Sequence, residues 1–380
     1  MFSGHAIVVA RQWLPAFPHG ALNFSLAVAG CIGVARMVQP VFAQTSPDLP
    51  KIPVYQVDPA WPKPLPNGWG IGPVSGISAD GRDHVWIVHR TETVRQAGGT
   101  PAPPVIEFDP QGNVVQTWGG PGSGYEWPEQ LHGITVDERD RVWVSGNGPN
   151  DAQVLAFTRD GKFLLQIGRS GKMAGSNDAA NLGHATQVRF DAATGSVYVS
   201  DGENSKNHRV IVFDAGTGAY RRHWGAYGDR PDDSAVAERF DPSGPPPRQF
   251  GTVHCLRISR DGLVYVCDRG NNRFQVFQKS GAFVKEQFIA RDTKGAGSVW
   301  DIEFSLDERQ RFMYVADGTN EKVWILERAS LNVLGAFGSS GKEPGQFATP
   351  VHDLTMDSKG NIYTGEAATA GRVQKFTLKE

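Results

Sequence analysis

The sequence predicts an all-β chain folded as a six-bladed β-propeller, and three observations carry that expectation. The 380 residues include 45 glycines and 25 prolines, with 10% aromatics and only 21% charged side chains. Such a chain can bury a large core while turning often, which suits short strands better than helices. Six segments after residue 65 share one pattern, an inner strand of about six residues, a polar turn and a second strand ending in a short polar loop. Links rich in glycine and aromatics, such as Trp118-Gly119-Gly120-Pro121-Gly122 and Phe337-Gly338-Ser339-Ser340-Gly341, separate the units.

In chain order, the segment Ile52 to Val57 precedes the first unit and is a candidate to complete the last blade and latch the ring. The six inner strands begin at Ser75, His132, Thr186, His254, Trp300 and His352, reading SGISADGRDHVWIVHR, HGITVDERDRVWVSGN, TQVRFDAATGSVYVSDG, HCLRISRDGLVYVCDRG, WDIEFSLDERQRFMYVADG and HDLTMDSKGNIYTGEA. Outer strands follow, as at Val154–Phe157 and Phe163–Gln166, Val210–Phe213 and Phe274–Phe277. One blade cannot bury both of its faces, so closing the ring is what stabilises the fold. No domain boundary is visible between residues 51 and 380.

Residues 1–43 read as an export signal ahead of a propeller domain over 44–380. Arg11 lies in a basic n-region, Ala21 to Ala35 are apolar, Arg36 closes the stretch, and Val41-Phe42-Ala43 offers a cleavage site before Gln44. The apolar stretch is short for a membrane span. A secreted or periplasmic protein is expected. Val28-Ala29-Gly30-Cys31 also fits a lipoprotein box, which would anchor a lipid on Cys31. Cys255 and Cys267 flank the turn Arg260-Asp261-Gly262 and fall opposite each other, as a cross-strand disulfide or as two buried thiols.

The formal net charge is -2, without long runs of one sign. That excludes a basic surface for nucleic acid or an anionic membrane, and leaves a small or peptidic ligand and a monomer as the expectation. Gly119 to Gly124 is glycine-rich, but no helix start follows to cradle a phosphate. Gly338 to Lys342 lacks Walker spacing, and neither a G-x-S-x-G elbow nor an H-E-x-x-H helix is present.

Chemistry enters at the first position of the inner strands. Histidine occupies every second blade, as His132, His254 and His352, out of 10 histidines in the chain. Blades related by rotations of roughly 60° place alternate side chains at about 120° around the axis. Three neutral imidazoles that leave a fourth position open are a catalytic zinc arrangement, although such sites also accept iron or manganese. Arg269 follows His254 by fifteen residues, as Arg90 follows Ser75, so antiparallel return of the second strand brings both arginines to the same mouth. Two guanidinium groups there suit a substrate carboxylate.

The string VSGISADGRDHVWIVHR, the HGI, HCL and HDL strands, VSDGENSKNHRVIVF, VCDRGNNRFQVF and VHDLTMDSKGNIYTGEA together resemble the peptidyl-α-hydroxyglycine α-amidating lyase family of NHL-repeat propellers. The resemblance spans all six blades. It implies a channel zinc on His132, His254 and His352, substrate binding by Arg90 and Arg269, and a structural calcium on the Asp353 carboxylate with the carbonyls of Ile77 and Ile134. The family's catalytic tyrosine follows Asp-Gly in the third blade, where this chain has Glu203 after Asp201-Gly202. A carboxylate can replace a phenol as general base, with a different pKa. The family's paired disulfides are not reproduced in number. The expected activity is a zinc-dependent lyase that splits an α-hydroxyglycine-like carbinolamide bearing a carboxylate into an amide and glyoxylate. The alternatives are a metal-dependent hydrolase of lactones or esters on the same site, and a binding module without enzymatic function.

Overall fold

Each repeat folds as a four-stranded antiparallel sheet, and six such sheets are present among the described residues. The structure is a computed structural model that describes residues 51–234, 240–367 and 371–379. The export-signal features at Arg11, Ala21 to Ala35, Val41 to Ala43 and Cys31 lie outside those residues. No helix among the described residues is long and apolar enough to cross a membrane.

The inner strands are Val74–Ala79, Leu131–Val136, Ala185–Asp191, Val253–Ile258, Asp301–Phe304 and Val351–Met356, numbered here as blades 1 to 6. The latch expected at Ile52 to Val57 is the strand Val54–Asp58, which pairs with Arg372–Lys379 from Val54 opposite Lys379 to Asp58 opposite Lys375. Blade 6 is therefore built from both ends of the described chain. The outer strands also fall where expected, for example Gln153–Thr158 and Phe163–Gly168. One element departs from the reading: the polar loop after Arg90 contains the short helix Thr91–Gln96.

Six buried apolar clusters hold the ring, each shared by two neighbouring blades. Trp86, Val88 and Val105 of blade 1 meet Ile134, Val142 and Phe157 of blade 2, and Tyr363 of blade 6 meets Val74, Ile87 and Ile106 of blade 1 across the closure. The inner turns repeat a polar brace. Asp80 accepts the indole N–H of Trp86 at 2.9 Å, Asp137 that of Trp143 at 2.9 Å, and Asp357 the Tyr363 hydroxyl at 3.0 Å. Cys255 and Cys267 are opposite one another and joined in a disulfide, with Cα atoms 4.8 Å apart.

Every inner strand is a sheet edge, so its outward N–H and C=O groups face the channel and need partners. Side chains of the preceding blade supply them around the whole circle. Ser78 accepts from the Val136 N–H, Thr135 donates to the Val188 carbonyl and Gln187 accepts from the Leu256 N–H. Arg257 donates to the Ile302 carbonyl, Asp301 accepts from the Leu354 N–H, and Thr355 accepts from the Ala79 N–H. If the closure carries part of the ring's stability, deleting residues 51–58 should lower Tm by about 5 °C or more in calorimetry. An unchanged Tm would show that blade 6 does not depend on its fourth strand.

Candidate metal centre

The side chains at the inner-strand starts are aimed by a repeated irregularity. In blades 1, 2, 3, 4 and 6 the pairing register shifts across Ser75, His132, Thr186, His254 and His352, so each of these residues is the bulged one. A bulge adds an unpaired residue and bends the strand, which re-aims that side chain. The bulge also corrects the simple hairpin register: the Arg269 N–H donates to the Thr252 carbonyl at 2.9 Å, and the Arg90 N–H to that of Pro73 at 3.0 Å.

As the alternation predicts, the three imidazoles converge. The ring centroid of His132 lies 4.9 Å from that of His254 and 4.8 Å from that of His352, and His254 and His352 are 4.7 Å apart. One nitrogen of each lies within 4.8 Å of the others, and all three rings are buried. The next blade sets the tautomer of two of them. His132 Nδ1 faces the Thr186 carbonyl at 3.2 Å and His254 Nδ1 faces that of Trp300 at 2.6 Å, so each donates from Nδ1. Nε2 of both is then left as a buried lone pair without a partner, and His352 faces the Ser75 backbone of blade 1. Orphaned, oriented imidazole nitrogens are what a metal requires of its ligands.

Burial holds all three histidines well below the ordinary imidazole value. Arg90 and Arg269 add to this at His132, Arg269 and the other two imidazoles at His254, and His132 with both arginines at His352. The rings are neutral, the state in which histidine binds metal.

Two loops bring the remaining groups to this mouth, each tied down by a fully buried ion pair. Arg209 Nε meets Asp201 Oδ2 at 2.8 Å just beyond the loop that carries Glu203, and Arg273 Nε meets Asp268 Oδ2 at 2.8 Å beside Arg269. Arg269 Nη2 donates to Glu203 Oε1 at 2.9 Å, and its guanidinium lies over the Trp300 ring, 4.2 Å from the centroid. Glu203 Oε2 is buried without a hydrogen-bond partner, 4.0 Å from His254 Nε2. Arg90 donates from Nε to the Leu131 carbonyl at 3.3 Å and from Nη2 to Asn147 at 3.4 Å. Burial lowers its pKa, Glu203 raises it and Arg269 lowers it again, which places the three groups in one field. Arg90, Arg269 and Glu203 thus meet at the imidazoles, as the sequence argument expects.

Two residues were not legible in the sequence. Trp300 is the aromatic floor under Arg269, and its place in the repeat, equivalent to the three histidines and just ahead of the strand Asp301–Phe304, is the available signal. His184, buried and with φ of 63°, braces the Glu203 loop: its carbonyl accepts the N–H of Gly202 at 3.3 Å and of Glu203 at 3.1 Å, and its Nδ1 faces the Glu203 carbonyl at 3.3 Å. Nothing in the repeat pattern marks it.

The expected calcium ligands fare differently. Asp353 Oδ2 accepts the N–H of Ile77 at 3.1 Å, and Oδ1 accepts the Leu354 N–H at 3.0 Å and Gln187 Nε2 at 3.2 Å. Burial and the neighbouring Asp301 push the Asp353 carboxyl well above its usual range. Ile134 is drawn close to blade 1, its backbone nitrogen packed where a Cβ on Gly76 would fall. A carboxyl that already accepts three N–H bonds has little lone-pair capacity left for a calcium ion, which needs several free oxygen ligands.

Comparison with known proteins agrees with this architecture. Residues 250–277 match the model of the NHL repeat. The chain is an NHL-type propeller. This propeller is 26% identical over 326 residues to the peptidyl-glycine alpha-amidating monooxygenase of Mus musculus, an alignment covering 81% of the chain and 30% of that protein. It spans less than a third of that relative's length. NHL repeat-containing protein 3 of Mus musculus is 24% identical over 336 residues, covering 85% of the chain and 84% of that protein. A solved streptogramin B lyase structure superposes with a TM-score of 0.52 at 10% identity, covering 86% of this chain and 98% of that one, a likeness of fold alone.

The buried imidazoles also set the acid stability. Their folded pKa values lie below the unfolded value, so the unfolded state binds more protons as pH falls, and stability present above about pH 6.5 is lost below it. His89, pushed down to about 4 by burial, acts in the same direction. In metal-free protein the urea unfolding free energy should fall below pH 6.5 by up to about 1.4 kcal/mol per pH unit for each such histidine. A flat profile from pH 7 to 5 would contradict neutral, buried rings.

Proposed function

We propose that this propeller is a zinc-dependent lyase that splits a carboxylate-bearing carbinolamide of the α-hydroxyglycine type into an amide and glyoxylate. The observation that carries the reading is the meeting of three buried, neutral imidazoles with two arginines and one carboxylate at a single channel mouth. The likeness to the amidating monooxygenase supports it.

His132, His254 and His352 would hold the zinc. When bound by three imidazoles with a fourth position open, zinc supplies Lewis acidity to a substrate hydroxyl. The substrate carboxylate would lie between Arg90 and Arg269, where charge-assisted hydrogen bonds fix its orientation. Arg269 is already paired with Glu203 Oε1, so an arriving carboxylate takes over that partner and frees the Glu203 carboxylate. Glu203 would then accept the hydroxyl proton. As the C–O bond becomes a carbonyl, the C–N bond breaks, its electron pair goes to the amide nitrogen, and Glu203 returns the proton there. Atoms balance as one carbinolamide to one amide and one glyoxylate.

The test is incubation of the purified protein with an N-acyl-α-hydroxyglycine and measurement of glyoxylate with a carbonyl reagent. Glyoxylate should form with wild type and fall to background with His254→Ala. Ester or lactone hydrolysis without glyoxylate would favour a hydrolase on the same residues. Arg269→Ala should weaken carboxylate substrates by roughly tenfold or more and their amide analogues much less, since a charge-assisted hydrogen bond is worth about 1.5–3 kcal/mol. Glu203→Gln should lose most turnover, and unchanged turnover with an unchanged acidic limb would remove Glu203 from the mechanism.

A further inference from the structure

Beneath the imidazoles the channel is crossed by a polar cluster that the metal site does not use. Gln187 of blade 3 reaches across the axis. Its Nε2 donates to Asp301 Oδ1 of blade 5 at 3.0 Å and to Asp353 Oδ1 of blade 6 at 3.2 Å. Its Oε1 accepts from Arg189 Nη2 at 3.1 Å and from the Leu256 N–H of blade 4 at 3.3 Å. Every hydrogen bond that a carboxamide can make is made. Arg257 collects oxygen ligands beside it: Nη2 donates to Asp301 Oδ2 at 3.1 Å and to the Leu354 carbonyl at 2.8 Å, and Nε donates to the Ile302 carbonyl. One carboxylate and two inner-strand carbonyls from adjacent blades are the ligand types that a calcium ion would gather.

We propose that the chain's own Gln187 carboxamide and Arg257 guanidinium replace the structural calcium implied by the family resemblance, closing the channel beneath the imidazoles with a metal-free plug. A dication on the axis would displace a carboxamide with all four bonds satisfied. It would also sit beside two guanidinium groups, the buried Arg189 and the partly buried Arg257. The repulsion between such charges in a buried setting opposes binding. The inner strands approach closely at this level because two glycines carry no side chain: a Cβ on Gly76 would collide with the Ile134 nitrogen of blade 2, and one on Gly133 with the Thr186 carbonyl of blade 3. The consequence for the site is geometric. With Gln187, Asp301 and Asp353 joined across the axis, the imidazoles sit at the bottom of a pit that opens only toward Arg90 and Arg269, so a ligand enters and leaves by one mouth.

The test uses the full chain as purified, depleted of calcium in a buffer containing zinc, with Tm and bound calcium measured before and after adding millimolar calcium. The plug predicts a Tm change within about 1 °C, since a ligand that does not bind the folded state cannot stabilise it. A rise of more than about 2 °C, or calcium retained near one ion per chain, would overturn it. Arg257→Met removes the three bonds to blades 5 and 6 and should lower Tm by about 4 °C or more whether or not calcium is present. An unchanged Tm in that variant would deny the guanidinium its bridging part, and neither measurement depends on catalytic activity.

Discussion

Six inner strands turn their unpaired edges toward a common axis, and the need to satisfy those backbone groups away from bulk water organises the rest of the molecule. The solution is directional: each blade caps the edge of the next, from Ser78 on Val136 around to Thr355 on Ala79. The chemistry of the centre is a by-product of the same rule. His132 and His254 spend Nδ1 on the carbonyls of Thr186 and Trp300, and that is what leaves Nε2 free. One layer down, Gln187, Arg257 and Asp301 obey the same rule and fill the axis instead of opening it.

Charge is distributed to match. Near the histidines burial, helped by the arginines, keeps the imidazoles neutral, while Glu203 balances Arg269. Below them Arg257 is paired with Asp301 and is held charged. Buried pairs of this kind contribute little net stability compared with apolar packing, but losing one partner is costly. Their value in this propeller is in fixing where loops and side chains stand: Asp201–Arg209 and Asp268–Arg273 hold the loops that carry Glu203 and Arg269.

Much of this was legible in the sequence because the propeller is periodic. The spacing of the hairpins implies six blades, and histidine at alternate starts puts three rings on one axis. The latch was readable as a strand without a partner. What stayed hidden was what breaks the period. The bulges at the histidines depend on backbone register rather than residue type, so a simple hairpin count puts Arg269 opposite the wrong neighbour. His184 acts through its backbone and a left-handed conformation. Gln187 and Arg257 stand in the repeat as ordinary polar residues, and only the closed ring shows that they meet Asp301 and Asp353, so the calcium implied by resemblance was not tested by the pattern.

The central claim is that three bulged histidines on alternate blades form one metal site with a position left open. Zinc-edge X-ray absorption on metal-loaded protein tests it most directly, because imidazole rings give distinctive outer-shell scattering. Three imidazole nitrogens at about 2.0–2.1 Å with one oxygen ligand besides is the expected shell. A shell of oxygens without imidazole scattering, or a spectrum unchanged when His132, His254 and His352 are all replaced by alanine, would contradict it.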